Sequence, residues 1–313
     1  MNAPKMTHAM TLRPRAGATR TRLRTGVAAL ALLLGAATAM AASPRAAADA
    51  GSSKLITIGG DVTEIVYALG AGDRILAVDT TSKYPAAAYD TKRKVGYMRS
   101  LSPEGVLSVG ATMILASAGA GPATAVQVLK SASLAYVTVP DTPSANGITA
   151  KITTIGKALG LEARSTALVA KVEAELTALT ADREKIAKPL KVLFVLSALS
   201  GRITIGGRGT SADGIIALAG GVNAAGNVDG YKPIVAEALV AMAPDAVILM
   251  QRTDGRGHSA DAIRKSPAFK QTPAGRDDRI REIDGLYLLG FGPRTPAAAR
   301  EVMHWLYPKL AER

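Results

Sequence analysis

Short apolar runs alternate with amphipathic stretches along the chain from about residue 54 onward. The apolar runs are bounded by turn residues and predict buried β-strands at residues 55–58, 75–78, 113–116, 136–139, 192–196, 246–250 and 279–283. The amphipathic stretches predict helices that begin near Asp61, Ser102, Thr124 and Ser144 and, in the second half, helices at 211–219, 235–243 and 295–306. Strands that alternate with helices predict an α/β fold with mostly parallel sheets.

One longer helical pattern occupies the middle of the chain, at residues 161–189, and Pro189 is its first Gly or Pro. Its apolar positions fall on one stripe, as an amphipathic helix requires. About 28 helical residues would span roughly 42 Å. We therefore predict a rigid connecting helix between an N-terminal lobe at residues 54–160 and a C-terminal lobe at residues 190–313. An ordinary surface helix of a single domain is the alternative.

The two halves of the chain carry a weak internal repeat. Residues 63–70 resemble residues 213–220, and residues 101–107 resemble residues 234–240. A repeat on both sides of the connecting helix predicts two similar Rossmann-like lobes. Small-molecule sites favour the cleft between two lobes, so we expect the ligand there.

The first 41 residues have the pattern of a cleaved signal peptide. Residues 1–26 contain six basic residues and no acidic one, an apolar run follows at 27–41, and Ala39-Met40-Ala41 is a small-residue cleavage site. The alternative is a membrane anchor, but the run is shorter than the roughly 20 apolar residues of a spanning helix. We expect cleavage at residue 41 or as late as 48, and a flexible start of the mature chain at 42–53.

Composition limits the cellular compartments and the classes of binding partner that fit the chain. The chain contains no cysteine, which excludes disulfides, thiol catalysis and a lipid-bearing cysteine. Removing the six basic residues of the leader lowers the formal net charge from +13 to +7, and the remaining Lys and Arg are scattered. With three Phe and one Trp, the chain lacks the basic stripe and aromatic platforms of a nucleic-acid-binding surface. We expect a diffusible protein of a Gram-negative periplasm, neither membrane-anchored nor bound to nucleic acid.

Catalytic motifs are missing from the sequence. It contains no G-x-S-x-G, and His258 and His304 are the histidines that follow the leader, so a Ser–His mechanism lacks its base. The glycine-rich run at 206–210 does not match a phosphate-binding G-x-x-x-x-G-K-[ST] loop. The scarcity of histidine also disfavours a zinc or manganese carrier. We predict that the protein is not an enzyme, and a secreted hydrolase is the distant alternative.

Five segments carry a resemblance to a known family, at residues 57–85, 95–122, 206–224, 230–239 and 288–296. They resemble the helix-spined periplasmic binding proteins of siderophore, cobalamin and haem importers. The sequence VGYMRSLSPEG, at residues 95–105, is most similar to the haem-binding branch. The resemblance implies a monomer that captures haem, as ferric protoporphyrin IX, and delivers it to an ABC permease dimer with its ATPase subunits. A same-fold carrier of a ferric siderophore or of cobalamin is the alternative.

Tyr97 is the residue on which the haem interpretation depends. It lies on a loop just before a helix that begins with Ser102 as N-cap and Pro103 at the first position. In the resembled family the tyrosine at this position coordinates the haem iron, and tyrosine is a known axial ligand of haem. Arg99, two residues further on, would favour the phenolate if it reached it; the alternative is a solvated loop arginine.

Further residues are candidates for contact with the ligand or the transporter. Lys83, Arg252 and Arg294 could meet the haem propionates, because arginine in particular grips carboxylates in bidentate fashion. Tyr231 could form the opposite wall of the cleft or be a buried turn residue. Glu104 and Glu237 occupy matching places in the two lobes, and the family resemblance implies that they dock to the two permease subunits. Each could instead stabilise only the start of its own helix.

Overall fold

The structure is a computed structural model that describes residues 53–199, 202–251 and 260–311. Its strands are β1 Leu55–Ile58, β2 Ile75–Val78, β3 Arg93–Lys94, β4 Met113–Ser117, β5 Ala135–Val139, β6 Lys191–Leu199, β7 Arg202–Gly206, β8 Val222–Asn223, β9 Tyr231–Ile234, β10 Ala246–Gln251 and β11 Ile280–Asp284. The predicted signal peptide lies outside the described residues, and so does nearly all of the segment predicted as flexible.

The helices alternate with the strands as the apolar pattern predicts. They are α1 Gly60–Ala68, α2 Ala86–Thr91, α3 Pro103–Leu107, α4 Ala123–Ser131, α5 Ala145–Leu159, α6 Glu162–Arg183, α7 Ser211–Leu218, α8 Ala236–Met242, α9 Ala260–Arg264, α10 Pro267–Lys270, α11 Pro273–Arg276, α12 Gly285–Leu289, α13 Thr295–Leu306 and α14 Pro308–Ala311. Among the described helices, none combines the length and the apolar character needed to cross a lipid bilayer.

The N-terminal lobe is built on a parallel sheet in the order β3-β2-β1-β4-β5. Helices connect its strands, as parallel pairing requires. The carboxyl ends of all five strands therefore meet at one edge. The loops that follow β1, β2, β3, β4 and β5 share that edge, which is where open α/β sheets bind ligands.

The C-terminal lobe has a mixed sheet in the order β11-β10-β6-β7-β9, with β8 paired to β6. Strands β6, β10 and β11 are parallel, whereas β7 pairs antiparallel with β6 and β9 pairs antiparallel with β7. The sequence did not predict β7 or β9. Strand β9 contains Pro233, and it pairs only with β7 along the sheet path, an edge position where a proline without an N–H is tolerated.

Two consecutive helices link the lobes. Helix α5 ends at Gly160, which has a left-handed φ of 67° that glycine adopts readily. Helix α6 has 22 residues and ends at Arg183, a length of roughly 33 Å. The predicted end at residue 189 is wrong, because the chain turns after Arg183 so that Ile186 packs against Gly220 of the C-terminal lobe.

One hydrophobic core continues through both lobes. Ile65 and Ile152 of the N-terminal lobe belong to the same buried cluster as Phe194 and Ile215 of the C-terminal lobe. Helix α6 contributes Val172, Leu176 and Leu179 to this cluster. A shared core fixes the lobes against each other more firmly than a connecting helix alone.

Candidate functional site

Tyr97 lies on a loop at the carboxyl edge of the N-terminal sheet. The loop is held by hydrogen bonds from Thr80 N to Gly96 O and from Gly121 N to Met98 O, both 2.9 Å long. Gly96 has φ 96°, a conformation that favours glycine. Tyr97 is 45% exposed. A fixed backbone with an exposed phenol is what a residue that contacts a ligand requires.

A buried carboxylate supports this loop from below. Asp79 is fully buried and accepts hydrogen bonds from Gly59 N at 2.9 Å, from the Thr81 hydroxyl at 2.7 Å and from the Ser82 hydroxyl at 2.8 Å. These bonds lock the loop that follows β2, which in turn bonds the Tyr97 loop at Gly96. Sequence reasoning missed Asp79; its one signal is a lone acid at the end of an apolar strand.

Tyr231 belongs to the C-terminal lobe and is the first residue of β9. Burial raises the pKa of its phenol, while hydrogen bonding to the start of α7, at Ala212 and Thr210, acts in the opposite direction. The charge of Arg99 in the other lobe also acts to lower that pKa. Tyr231 is 36% exposed, and its pairing with Gly206 of β7 fixes its backbone in the C-terminal sheet.

Arg294 contacts a carboxylate and two aromatic rings within the protein. Its Nη2 donates to Glu64 Oε2 at 2.8 Å and its backbone N donates to Glu64 Oε1 at 3.2 Å. The guanidinium also lies 3.5 Å from the ring centre of Tyr84 and 5.2 Å from that of Tyr287. Because Glu64 belongs to α1 and Arg294 precedes α13, this contact joins the lobes.

Lys83 is the remaining basic candidate in the described part of the chain. Lys83 is half-buried, and its ammonium lies 3.3 Å from the ring centre of Tyr89 in the same lobe. Arg252 and His258 lie outside the described residues. His304 is half-buried on α13.

Glu104 and Glu237 are both exposed in the first turns of short helices, α3 and α8. Glu104 Oε2 accepts a hydrogen bond of 2.9 Å from the Ser102 hydroxyl. Its pKa is lowered, first by its own backbone N–H and then by Ser102. Each carboxylate thus lies at the start of a helix, on the surface of a different lobe.

Lys151 is the polar residue that sequence reasoning missed most clearly. It is fully buried on α5, and its ammonium forms ion pairs with Asp61 and with Asp141 and donates to the Gly290 carbonyl. Burial by itself lowers the pKa of Lys151, but the two carboxylates outweigh this and raise it. A lysine on the apolar stripe with Ile148 and Ile155 was the available signal.

The donor set of the site is phenolic and cationic. In the described part of the chain, no group of three or more His, Cys, Asp or Glu residues is arranged to hold a metal ion. Tyr97 offers a phenol and Arg99 a positive charge from the N-terminal lobe, and Tyr231 offers a second phenol from the C-terminal lobe. A phenolate accompanied by arginine suits a ferric centre that carries acidic substituents.

Two α/β lobes that present loop residues toward each other across a cleft define a ligand-binding protein. Residues 55–286 match the family model described as periplasmic binding protein. The chain belongs to this family.

Three known proteins are similar to the chain over most of its length. The periplasmic heme-binding protein RhuT from Roseiflexus sp. RS-1, in apo form, shares 34% identity at a TM-score of 0.78, over 83% of this chain and 100% of that one. The periplasmic heme-binding protein BhuT, in complex with two hemes, shares 37% identity at a TM-score of 0.77, over 83% and 100%. The uncharacterized ABC transporter substrate-binding lipoprotein YvrC of Bacillus subtilis strain 168 is 29% identical over 258 residues, 82% of this chain and 80% of that protein.

Proposed function

We propose that the protein captures haem outside the cytoplasm and delivers it to an ABC importer in the inner membrane. The observation that carries the proposal is the exposed Tyr97 phenol on a fixed loop at the carboxyl edge of the N-terminal sheet. Tyrosine coordinates ferric haem well. The names of RhuT and BhuT, both heme-binding proteins of at least 34% identity, support this choice of ligand over a siderophore or cobalamin.

Tyr97 supplies the axial ligand in this proposal. A bound ferric iron would favour the deprotonated phenol. The cleft would hold the haem by one strong bond to iron and a few weaker contacts, which suits a protein that must release its cargo. Tyr231 forms the opposite wall, and Arg252, Arg294 and Lys83 are candidates for the propionates.

The transport partner follows from the family and from the paired acids. YvrC is named as a substrate-binding protein of an ABC transporter, and we place this chain in the same role, without enzymatic activity. Glu104 and Glu237 would meet the two subunits of the permease, because one exposed carboxylate on each lobe suits a partner with two-fold symmetry. The predicted signal peptide and the chain without cysteine favour a freely diffusing periplasmic protein.

The deciding experiment is a titration of the purified protein with hemin, followed by the Soret and charge-transfer bands. We expect a five-coordinate, high-spin ferric complex in which Tyr97→Ala weakens binding about 100-fold, equivalent to about 2.7 kcal/mol. Tyr231→Ala should lose much less, and Tyr136→Phe, a change on β5 of the N-terminal lobe, serves as the matched control. Equal losses in Tyr97→Ala and Tyr231→Ala would contradict a single axial ligand. Unchanged hemin spectra, together with binding of cobalamin or a ferric siderophore, would overturn the choice of ligand.

A further inference from the structure

A fully buried ammonium group connects the three segments that meet between the lobes. Lys151 Nζ is paired with Asp61 at the start of α1 and with Asp141 Oδ1 at 2.7 Å, and it donates to Gly290 O of the C-terminal lobe at 3.0 Å. An ammonium has three N–H donors, so these three acceptors use all of them. The C-terminal lobe supplies one of the three, and its displacement would leave a buried donor without a partner.

The same network continues to the Tyr97 loop. Asp141 Oδ2 accepts a hydrogen bond of 3.2 Å from the Ser117 hydroxyl, which itself accepts one of 3.2 Å from Gly119 N. Two residues later, Gly121 N donates to Met98 O and Gly121 O accepts from Leu101 N, both at 2.9 Å. Polar contacts, joined by the backbone between Gly119 and Gly121, therefore run from Gly290, through Lys151 and Asp141, to the backbone on both sides of Arg99.

We propose that Lys151 is a positioning residue whose ammonium couples the separation of the lobes to the placement of the Tyr97–Arg99 loop. The effect of this coupling on ligand binding rests on the proposed function, because a loop displaced by lobe movement would weaken the bond between Tyr97 and the haem iron. The coupling is reciprocal by thermodynamic necessity. A ligand that fixes the loop therefore also stabilises the contact between the lobes. Conversely, a transporter that separates the lobes lowers the affinity for the ligand.

Two conservative variants cut the network without removing the buried charge. Asp141→Asn keeps the shape of a side chain that is 40% exposed but weakens the contact to Lys151. Ser117→Ala removes only the two hydrogen bonds of the Ser117 hydroxyl, which donates to Asp141 Oδ2 and accepts from Gly119 N. Ser131→Ala is the matched control, because its hydroxyl bonds Gln127 O on the exposed helix α4. Lys151→Met would leave the buried carboxylate of Asp61 without its cation and could prevent folding, so this variant is not used as the test.

The first measurement is amide hydrogen exchange of the full protein without ligand, at Leu101 and Gly121 beside the loop and at Gly290 in the other lobe. Asp141→Asn should accelerate exchange about tenfold at all three amides, Ser117→Ala only at Leu101 and Gly121, and Ser131→Ala at none. Acceleration confined to Leu101 and Gly121 in Asp141→Asn would overturn the coupling. This arm needs no ligand, so its outcome is independent of whether the protein binds haem.

The second measurement is the rate at which the hemin complex dissociates. Both Asp141→Asn and Ser117→Ala should release hemin about tenfold faster than the wild type and Ser131→Ala, with a shifted charge-transfer band. Wild-type release rates in both variants would overturn the positioning role. A wild-type protein that does not bind hemin would instead defeat the proposed function, and the exchange data would still decide the coupling.

Discussion

Arg294 shows how the partners of a side chain can redefine its role. The sequence places it just before α13 as a candidate for a haem propionate. In the structure it pairs with Glu64, whose side chain is 6% exposed, across a sequence separation of 230 residues. A local sequence pattern cannot predict a contact between residues so far apart in the chain. The position of Tyr97 on a loop was easier to predict, because the N-cap Ser102 and Pro103 mark the end of that loop in the sequence itself.

We expect Arg294→Leu to destabilise the protein even without ligand. The change removes the cation paired with the buried carboxylate of Glu64, and breaking a buried pair costs about 3–5 kcal/mol. The Arg294 side chain is 28% exposed, so we expect the lower end, about 3 kcal/mol. Urea unfolding of the ligand-free protein measures it.

Arg281→Leu is the control for this prediction. Its pair with Glu301 is more exposed, at 37% and 39% of the two side chains, and such pairs contribute roughly 0–1 kcal/mol. If Arg294→Leu left the free energy of unfolding unchanged but weakened hemin binding, the role in binding propionate would be the correct one.

At the scale of secondary structure, agreement is close where the apolar pattern alone decides. Strands β1 and β2 have the predicted bounds, and β4 extends one residue further. The errors occur where tertiary contacts decide. Strand β9 exists because it pairs with β7, and α6 ends early because Ile186 packs against Gly220. Neither contact can be predicted from the apolar pattern of a short sequence segment.

The link between α6 and α13 should make stability depend on pH. The pKa of Asp182 on α6 is lowered, first by a hydrogen bond from Lys185 and also by Arg300 of α13. The folded state therefore prefers the carboxylate. Its contribution is complete above the ordinary carboxyl pKa of about 3.9, and it is lost as the pH falls through the lower folded-state value.

Thermal midpoints of Asp182→Asn and wild type test this expectation. The variant should be less stable at pH 7, and the difference should shrink as the pH approaches 3. Glu173→Gln, an exposed change on the same helix, should differ little from wild type at either pH. A difference between Asp182→Asn and wild type that stayed constant from pH 7 to pH 3 would show that ionisation of Asp182 does not carry the effect.

At the scale of the molecule, the two lobes act as one packed unit. The sequence predicted two lobes joined by a rigid helix, and the two-lobed α/β fold is confirmed. The expected stiffness was attributed to that helix alone. The structure adds a shared core, the Arg294–Glu64 ion pair and glycines where the lobes touch. Gly60 is one of these, since a Cβ there would lie 2.6 Å from the side chain of Leu286.

Gly214 on α7 provides the sharpest test of that packing. A Cβ at this position would lie 2.5 Å from the Pro143 carbonyl of the N-terminal lobe and 2.7 Å from the ring of Phe291. Both distances are shorter than any normal contact, and the first obstacle is backbone. Gly214→Ala must therefore move one lobe relative to the other. We expect it to cost about 1–3 kcal/mol of folding free energy, as overpacking of a core does.

Gly105→Ala is the matched change, because it also lies in a helix but its Cβ would meet only Ser102 at 3.6 Å. It should be neutral or stabilise the protein by up to about 1 kcal/mol. Urea unfolding gives the free energies, and small-angle scattering gives the separation of the lobes.

If the two walls of the cleft behave as one rigid body, Gly214→Ala should also release hemin faster, because the widened gap displaces the Tyr97 loop. Reduced stability with an unchanged hemin release rate would mean that the site in the N-terminal lobe is independent of how the lobes are packed.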